Sequence, residues 1–291
     1  MTGSPRRVAF LTLSDPTGFV IDDDLARQPL ARRGWQVDTL PWDRPGVDWR
    51  RYDRVVLRST WDYQHHQEKF LATLAAIEKA GVRLDNGTDI VRWNMHKTYL
   101  RDLDARGVQT VPTLWREGLA PGALLPLFDE LASDEAVIKP VTSGNAEGAF
   151  HLNRARVKAQ AAEIEKYFSH RSLMMQPFER GILTEGEFSL IYFNGELSHS
   201  ILKVPKPGDF RVQEEHGSEI LSMRPEPALI AAGNAAIAAI GRPLLYARAD
   251  LVRHDAGFRI MELELVEPAI YLRTDPGAPD RFADAVAADP R

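Results

Sequence analysis

Apolar positions in the first ninety residues follow two rhythms in turn. Residues 8–13 and 55–57 are short, mostly apolar runs of strand length. Phe70, Leu71, Leu74 and Ile77 recur at helical spacing and stop before Gly81, which suits the left-handed position behind a helix. Strand and helix in alternation predict a small α/β layer with parallel strands over residues 1–93.

From Asn94 the pattern changes. Asn94 can cap a helix running to about Arg106, with Gly107 ending it. A strand over 109–114, a Pro- and Gly-rich connector over 117–126, a strand at 137–140, a helix over 155–168 and a strand at 173–176 follow. Residues 188–193 and 197–204 flank Asn194-Gly195, the dipeptide that supplies positive φ at both positions of a type I′ turn, so they form a hairpin. A helix over 228–240 precedes Gly241, and residues 245–252 and 258–265 form a second hairpin around 254–257. The expected architecture is α/β followed by α+β, in three segments: 1–93, 94–175 and 176–291, the last two built on antiparallel sheets.

Composition narrows the function classes. The 291 residues are 44% hydrophobic and 26% charged, enough for a substantial core. A net charge of −5 leaves no electrostatic footprint for nucleic acid. Without cysteine there are no disulfides, thiolate zinc sites or catalytic thiol. The opening residues lack the apolar core of a signal peptide, and the 228–240 stretch, with Gly233 and Asn234, is too short to span a bilayer. The expectation is a soluble, cytoplasmic protein acting on a small molecule, as a monomer or homo-oligomer, without nucleic-acid or membrane partners.

Several groups of residues carry possible chemistry. Glu262 and Glu264 lie two apart in a strand and share one face, leaving Met261, Leu263 and Leu265 for the other. With Asp250 on the neighbouring strand they would make an oxygen-rich set suited to magnesium completed by nucleotide phosphates. For Asp250 to oppose Glu262, paired residue numbers must sum to an even value. That requires a connection of odd length or a bulge, for which Gly257 is suited. Lys139, before the polar loop 141–148, can place an ammonium and backbone N–H groups around phosphates. That loop matches neither the P-loop nor the Rossmann pattern. Arg211, in Gly208-Asp-Phe-Arg, sits on a loop and can grip phosphate or carboxylate. The histidines form neither a zinc-protease motif nor a partner to a serine elbow. Residues 58–63 close a predicted parallel strand, the end at which open α/β sheets bind ligands.

Taken in order, Lys97, Val-Ile-Lys139-Pro with its loop, Met175-Gln-Pro-Phe178, Gly208–Arg211, Asp250, and Met-Glu-Leu-Glu264 with Pro268 resemble the ATP-grasp superfamily. The resemblance is to the branch of ribosomal-protein glutamate ligases and glutathione synthetases, and it covers residues 94–271. It implies an ATP-grasp fold whose front segment faces the substrate, whose middle carries the phosphate loop, and whose last segment carries the metal site. Lys97 and Lys139 would contact phosphates, and the 143–148 loop, with Ser143, Gly144 and Glu147, would close over them. Gln176 and the backbone at Phe178 would read adenine. Glu187, rather than Glu185, would hold the ribose, and Lys203 joins the nucleotide set. Asp250, Glu262 and Glu264 would bind two magnesium ions, with Glu264 standing where the branch has Asn. Lys139 and Arg211 would be catalytic, Arg211 steadying an acyl phosphate. Asp15, the 22–24 aspartates and Arg58, Ser59 and Thr60 would select the substrate.

The run from Glu185 to Gly217 is similar to a subgroup of ligases that form D-cycloserine. That implies phosphorylation of the carboxylate of O-ureido-D-serine, ring closure by its own nitrogen, and loss of the carbamoyl group. The alternatives are an intermolecular ligase joining an amino acid or peptide carboxylate to an amine, and a nucleotide-binding module without turnover.

Overall fold

A computed structural model describes residues 5–255 and 257–288. The first four residues of the opening segment, Ala256 in the second hairpin's turn, and the last three residues lie outside the described set.

The front of the chain forms one parallel sheet from β1 (Arg6–Thr12), β2 (Trp35–Pro41), β3 (Arg54–Ser59) and β4 (Arg83–Leu84), in the order β2-β1-β3-β4. Successive side chains of β1 go to opposite faces. Ala9 and Leu11 pack with Phe70, Leu74 and Ile77 of the helix Gln67–Lys79, and Gly81 behind that helix has φ +75°. Val8 and Phe10 pack with Phe282, Ala283 and Val286 of the last helix, Ala278–Ala287. That same cluster takes in Ile191, Phe193 and Tyr246, so the end of the chain shares a core with its beginning.

The central sheet is antiparallel: β5 (Leu114–Arg116), β6 (Glu135–Pro140), β7 (Phe150–Asn153) and β8 (Leu173–Pro177), in the order β5-β8-β6-β7. It is covered by the helices Leu124–Leu131 and Ala161–Tyr167. The larger antiparallel sheet holds β9 (Glu187–Phe193), β10 (Glu196–Val204), β11 (Glu219–Ser222), β12 (Tyr246–His254) and β13 (Gly257–Glu264), ordered β11-β10-β9-β12-β13. Asn194 and Gly195 take φ of 49° and 83° at the β9–β10 turn. The helix Pro227–Ala239 packs beneath this sheet. No helix among the described residues is long and apolar enough to cross a membrane.

Local expectations fail in four places. Asn94 does not cap a helix: it ends the helix Thr88–Asn94, and the next helix is Tyr99–Ala105. Its side-chain amide instead donates to Leu263 O (2.7 Å) and accepts from Leu265 N (2.8 Å), clamping β13. The strand expected over 109–114 is displaced to β5, leaving at Thr110 an isolated bridge to Ile260. Thirdly, helix boundaries shift: the connector over 117–126 gives way to helix from Leu124, and the helix over 155–168 is broken into Val157–Ala159 and Ala161–Tyr167.

The fourth concerns the acidic hairpin. Asp250 does oppose Glu262, but the extra residue is not Gly257. Pairs sum to 511 from His254–Gly257 to Leu251–Ile260 and to 512 from Asp250–Glu262 onward, so Met261 is the bulged residue. The bulge also turns Met261 away from the Leu263 and Leu265 core, to pack with Val111, Ile182, Val212 and Val252.

Candidate functional site

A cavity of about 230 Å³ opens between the central and five-stranded sheets, and its far wall comes from the front segment through Phe19, Trp61 and Tyr63. Lys97, Lys139, Ser143, Gly144, Gln176, Phe178, Glu187, Lys203, Arg211, Asp250, Glu262 and Glu264 all line it. Residues spread over 168 positions of sequence thus face one space. Glu147, Asp15, Arg58, Ser59 and Thr60 are not among its lining residues.

The three acidic residues expected to gather around metal are held by cations. Glu262 pairs with Lys97. Asp250 takes Arg248 in a two-pronged contact (3.0 and 2.9 Å), the Ser189 hydroxyl, and Lys203 at 3.3 Å. Glu264 accepts from Arg248 Nη2, the same nitrogen that reaches Asp250, and Glu187 receives Lys203 at 2.8 Å. Among the described residues no three acidic or histidine side chains stand close enough to hold an ion by themselves. Carboxylates on neighbouring strands would repel, and Arg248, Lys97 and Lys203 neutralise them in place.

The electrostatics separate these groups. Burial pushes Asp250 upward, but Arg248 and Lys203 outweigh it and hold its carboxyl below the usual range. Glu262 is likewise depressed, by Lys97 and Lys139 against burial. Burial, with Asp250 and Glu262 nearby, carries Glu264 up to about 7 in spite of Arg248. Lys139 has no ion pair or hydrogen bond among the described residues, and burial lowers its pKa although Glu262 lies nearby. Its ammonium is an uncancelled positive charge in the cavity.

The nucleotide-side expectations fall as follows. Gln176 is buried and donates to the Thr113 hydroxyl (3.0 Å). The Phe178 N–H already bonds Glu135 O (2.9 Å), so the backbone of this residue has only its carbonyl to offer a ligand. Its ring stacks on His151 (4.0 Å between centroids), and Phe210 from the Gly208–Arg211 loop leans on both. Arg211 is gripped by Asp209, with Nη2–Oδ2 at 2.7 Å. The 143–148 loop is left-handed at Asn145 and Ala146, and His216 reaches Asn145 O at 3.3 Å. Glu147 stands outside, 3.6 Å from His65, and Glu185 pairs with Arg253.

On the substrate side, Arg58 is 2% exposed and lies between Asp23 (2.9 Å) and Pro268 O (3.1 Å), against the rings of Tyr246 and Phe282. Ser59 donates to the same Asp23 (2.6 Å). Thr60 is fully buried, and its hydroxyl has no partner among the described residues. Asp15 is exposed, accepting from Thr17 N.

Sequence reasoning missed what Arg58 does there. Five consecutive carbonyls after β13 each face a side-chain donor. Val266 O lies 2.8 Å from the Tyr246 hydroxyl, and Glu267 O accepts from Trp61 Nε1 at 2.9 Å. Pro268 O takes Arg58, Ala269 O takes Arg248 Nη1 (3.1 Å), and Ile270 O takes His199 Nε2 (2.9 Å). Buried carbonyls need such partners, and together these fix the path of the segment. Its side chain at Glu267 lines the cavity. Arg248 could have been found, since it lies two positions before Asp250 on the same strand face. Glu267 had only its place beside Pro268 to mark it.

Comparison with known proteins identifies what the chain is similar to. Residues 8–86 match the family model described as the N-terminal domain of D-cycloserine synthetase DcsG. A curated relative, the cycloserine biosynthesis protein DcsG of Streptomyces lavendulae, is 30% identical over 296 residues, 94% of this chain and 96% of that protein. The crystal structure of D-cycloserine synthetase DcsG superposes with a TM-score of 0.83 at 28% identity, covering 97% of this chain and 98% of that one. The ATP-grasp ligase PsnB, complexed with minimal precursor, Mg and ADP, shares the fold at a TM-score of 0.64 and 16% identity over 96% of each chain.

Proposed function

The chain belongs to the D-cycloserine synthetase family of ATP-grasp ligases, and on that premise we propose that it closes a ring within O-ureido-D-serine by activating the carboxylate with ATP. The observation that carries the site assignment is the single cavity where unpaired Lys139 faces Glu262, itself opposed to Asp250 across the hairpin.

ATP and magnesium are the cofactors of this fold, and the donor set suits them. Asp250, Glu262 and Glu264 offer only hard carboxylate oxygens, which magnesium takes together with phosphate oxygens and water. Because each is already neutralised by a cation, the site is incomplete until a triphosphate supplies the remaining oxygens. We place two ions there, held by Glu262 and Glu264 with Asp250. Bound, they supply charge neutralisation along the phosphates.

The residues themselves would act in order. Lys139 and Lys97 hold the β- and γ-phosphates, and Glu187 with Lys203 holds the ribose. A substrate carboxylate oxygen attacks the γ-phosphorus and ADP leaves. Lys139 and Arg211, the latter oriented by Asp209, stabilise charge on the transferring group, the dominant contribution in phosphoryl transfer. The nitrogen bonded to the side-chain oxygen then attacks the acyl carbon, loses its proton, and expels inorganic phosphate. Water then adds to the carbamoyl carbon of the cyclised product, its bond to the ring nitrogen breaks with that nitrogen taking a proton, and the released carbamic acid gives carbon dioxide and ammonia. The 143–148 loop, tied to His216, excludes water from the acyl phosphate.

The test is phosphate release with ATP, magnesium and a panel of O-ureido-D-serine, D- and L-amino acids and dipeptides, with mass spectrometry of the product. Turnover of O-ureido-D-serine to the mass of a cyclic product is expected. A product whose mass joins two substrates would replace ring closure with intermolecular ligation.

A further inference from the structure

The buried charges of the cavity nearly all cancel within the protein. Lys97 answers Glu262, Lys203 answers Glu187 and Asp250, and Arg248 answers Asp250 and Glu264. Two do not. Lys139 is the unpaired cation, as suits a group that meets a polyanionic nucleotide. The other is Glu267: among the described residues no side chain pairs with its carboxyl group, although it lines the cavity, and burial with Glu264 nearby holds its pKa well above the usual carboxylate range against Lys97 and Arg248.

We propose that Glu267 is the residue that receives the α-ammonium of the amino-acid substrate. The inference rests on the ligase reading above and deepens it. Three observations carry it. First, ionising a buried carboxyl that no protein cation pairs with is costly, so Glu267 is a group whose charge a ligand's cation would stabilise. Secondly, Glu267 lines the cavity together with Phe19, Trp61 and Tyr63 of the front segment, and Trp61 Nε1 bonds its backbone carbonyl. Aromatic faces beside an acid favour a cationic group. Thirdly, the backbone that carries Glu267 is fixed on both sides by the Tyr246, Trp61, Arg58 and Arg248 donors, so the carboxylate is anchored on a rigid support. A recognition group held this way loses little freedom on binding.

The assignment has a chemical consequence. A nitrogen held as ammonium has no lone pair, so the group at Glu267 is a spectator and the attacking nitrogen is another one. In O-ureido-D-serine that leaves the two uncharged ureido nitrogens, of which the one on oxygen closes a five-membered ring.

The experiment compares O-ureido-D-serine with 3-(ureidooxy)propionate, the same molecule lacking the α-amino group. Wild-type protein should prefer the amino acid by on the order of 10²-fold in kcat/KM, since a site built around a polar group rejects the analogue that lacks it. In Glu267→Gln that preference should shrink to about fivefold, through a raised KM for the amino acid, as expected when a binding contact is lost. Magnesium-ATP affinity, measured by calorimetry, should stay unchanged. Equal turnover of both compounds by wild-type protein overturns the proposal without any variant. So does a Glu267→Gln protein that folds, keeps the full preference and loses only kcat, which would make Glu267 a proton acceptor. Absence of phosphate release by the wild type with every substrate would instead remove the ligase reading itself.

Discussion

The two ends of the cavity are built by different means. At the nucleotide end, side chains cancel one another in pairs: Lys97, from the turn between two helices, with Glu262 of β13; Lys203 with Glu187 on neighbouring strands; Arg211 with Asp209 within one loop. At the substrate end, side chains from the front segment and the large sheet reach past the cavity to backbone carbonyls, and one carboxylate is left over. The first end is an electrostatic cradle whose parts rearrange around a charged ligand. The second is a rigid frame around a single recognition group. Changes at the first end should therefore appear mainly in turnover, and changes at the second in stability and substrate choice.

The largest effect should come from Lys139→Ala. It removes an unpaired charge and orphans no partner, so the melting temperature should hold while kcat/KM falls on the order of 10³-fold. Phosphate release and a thermal melt check both. Near-normal turnover would move the phosphates elsewhere. Glu262→Ala should lose as much activity, but it strands Lys97 and should also cost about 3 kcal/mol of stability.

Next is Arg58→Ala. It strands Asp23 and Pro268 O in the interior, and should destabilise the protein by about 3 kcal/mol in a urea titration. A stable variant with altered substrate preference alone would return Arg58 to direct recognition. Arg211→Ala should then lower kcat by about tenfold to a hundredfold, as for a contact made in the transition state. A change confined to KM would make it a substrate anchor.

The smallest effect concerns pH. With its carboxyl raised from 4.5 to about 7, Glu264 contributes stability to the metal-free protein that is complete below the ordinary carboxyl range and is lost as pH rises through 7. A bound divalent ion favours the ionised form. Magnesium with ADP should therefore raise the melting temperature more at pH 8 than at pH 6. Glu264→Gln, which retains the nucleotide's own titration, should narrow that difference, and an unchanged difference would detach Glu264 from the metal.

The same contrast explains what could be read from the chain. That Asp250 can oppose Glu262 only through an odd connection or a bulge is written in residue spacing. The position of the bulge is not, because Met261 fits an apolar face on either side. Asn94 has the composition of a helix cap, yet its amide fits the two edge groups of β13 equally well, and tertiary contact decides. Arg58 and Ser59 at the end of a parallel strand read as ligand contacts because charge near a ligand-binding edge is the only visible signal. In the structure their partners are Asp23 and a carbonyl, and a carbonyl is common to every residue, so it leaves no mark in a sequence.

That anonymity of the carbonyl has a further consequence. The path of residues 266–270 is set by acceptors that any amino acid provides, so the frame does not depend on which side chain stands at position 267. The socket is fixed and its fitting is exchangeable. If position 267 does address the substrate's charge, a neutral or basic residue there would favour a differently charged molecule in one substitution.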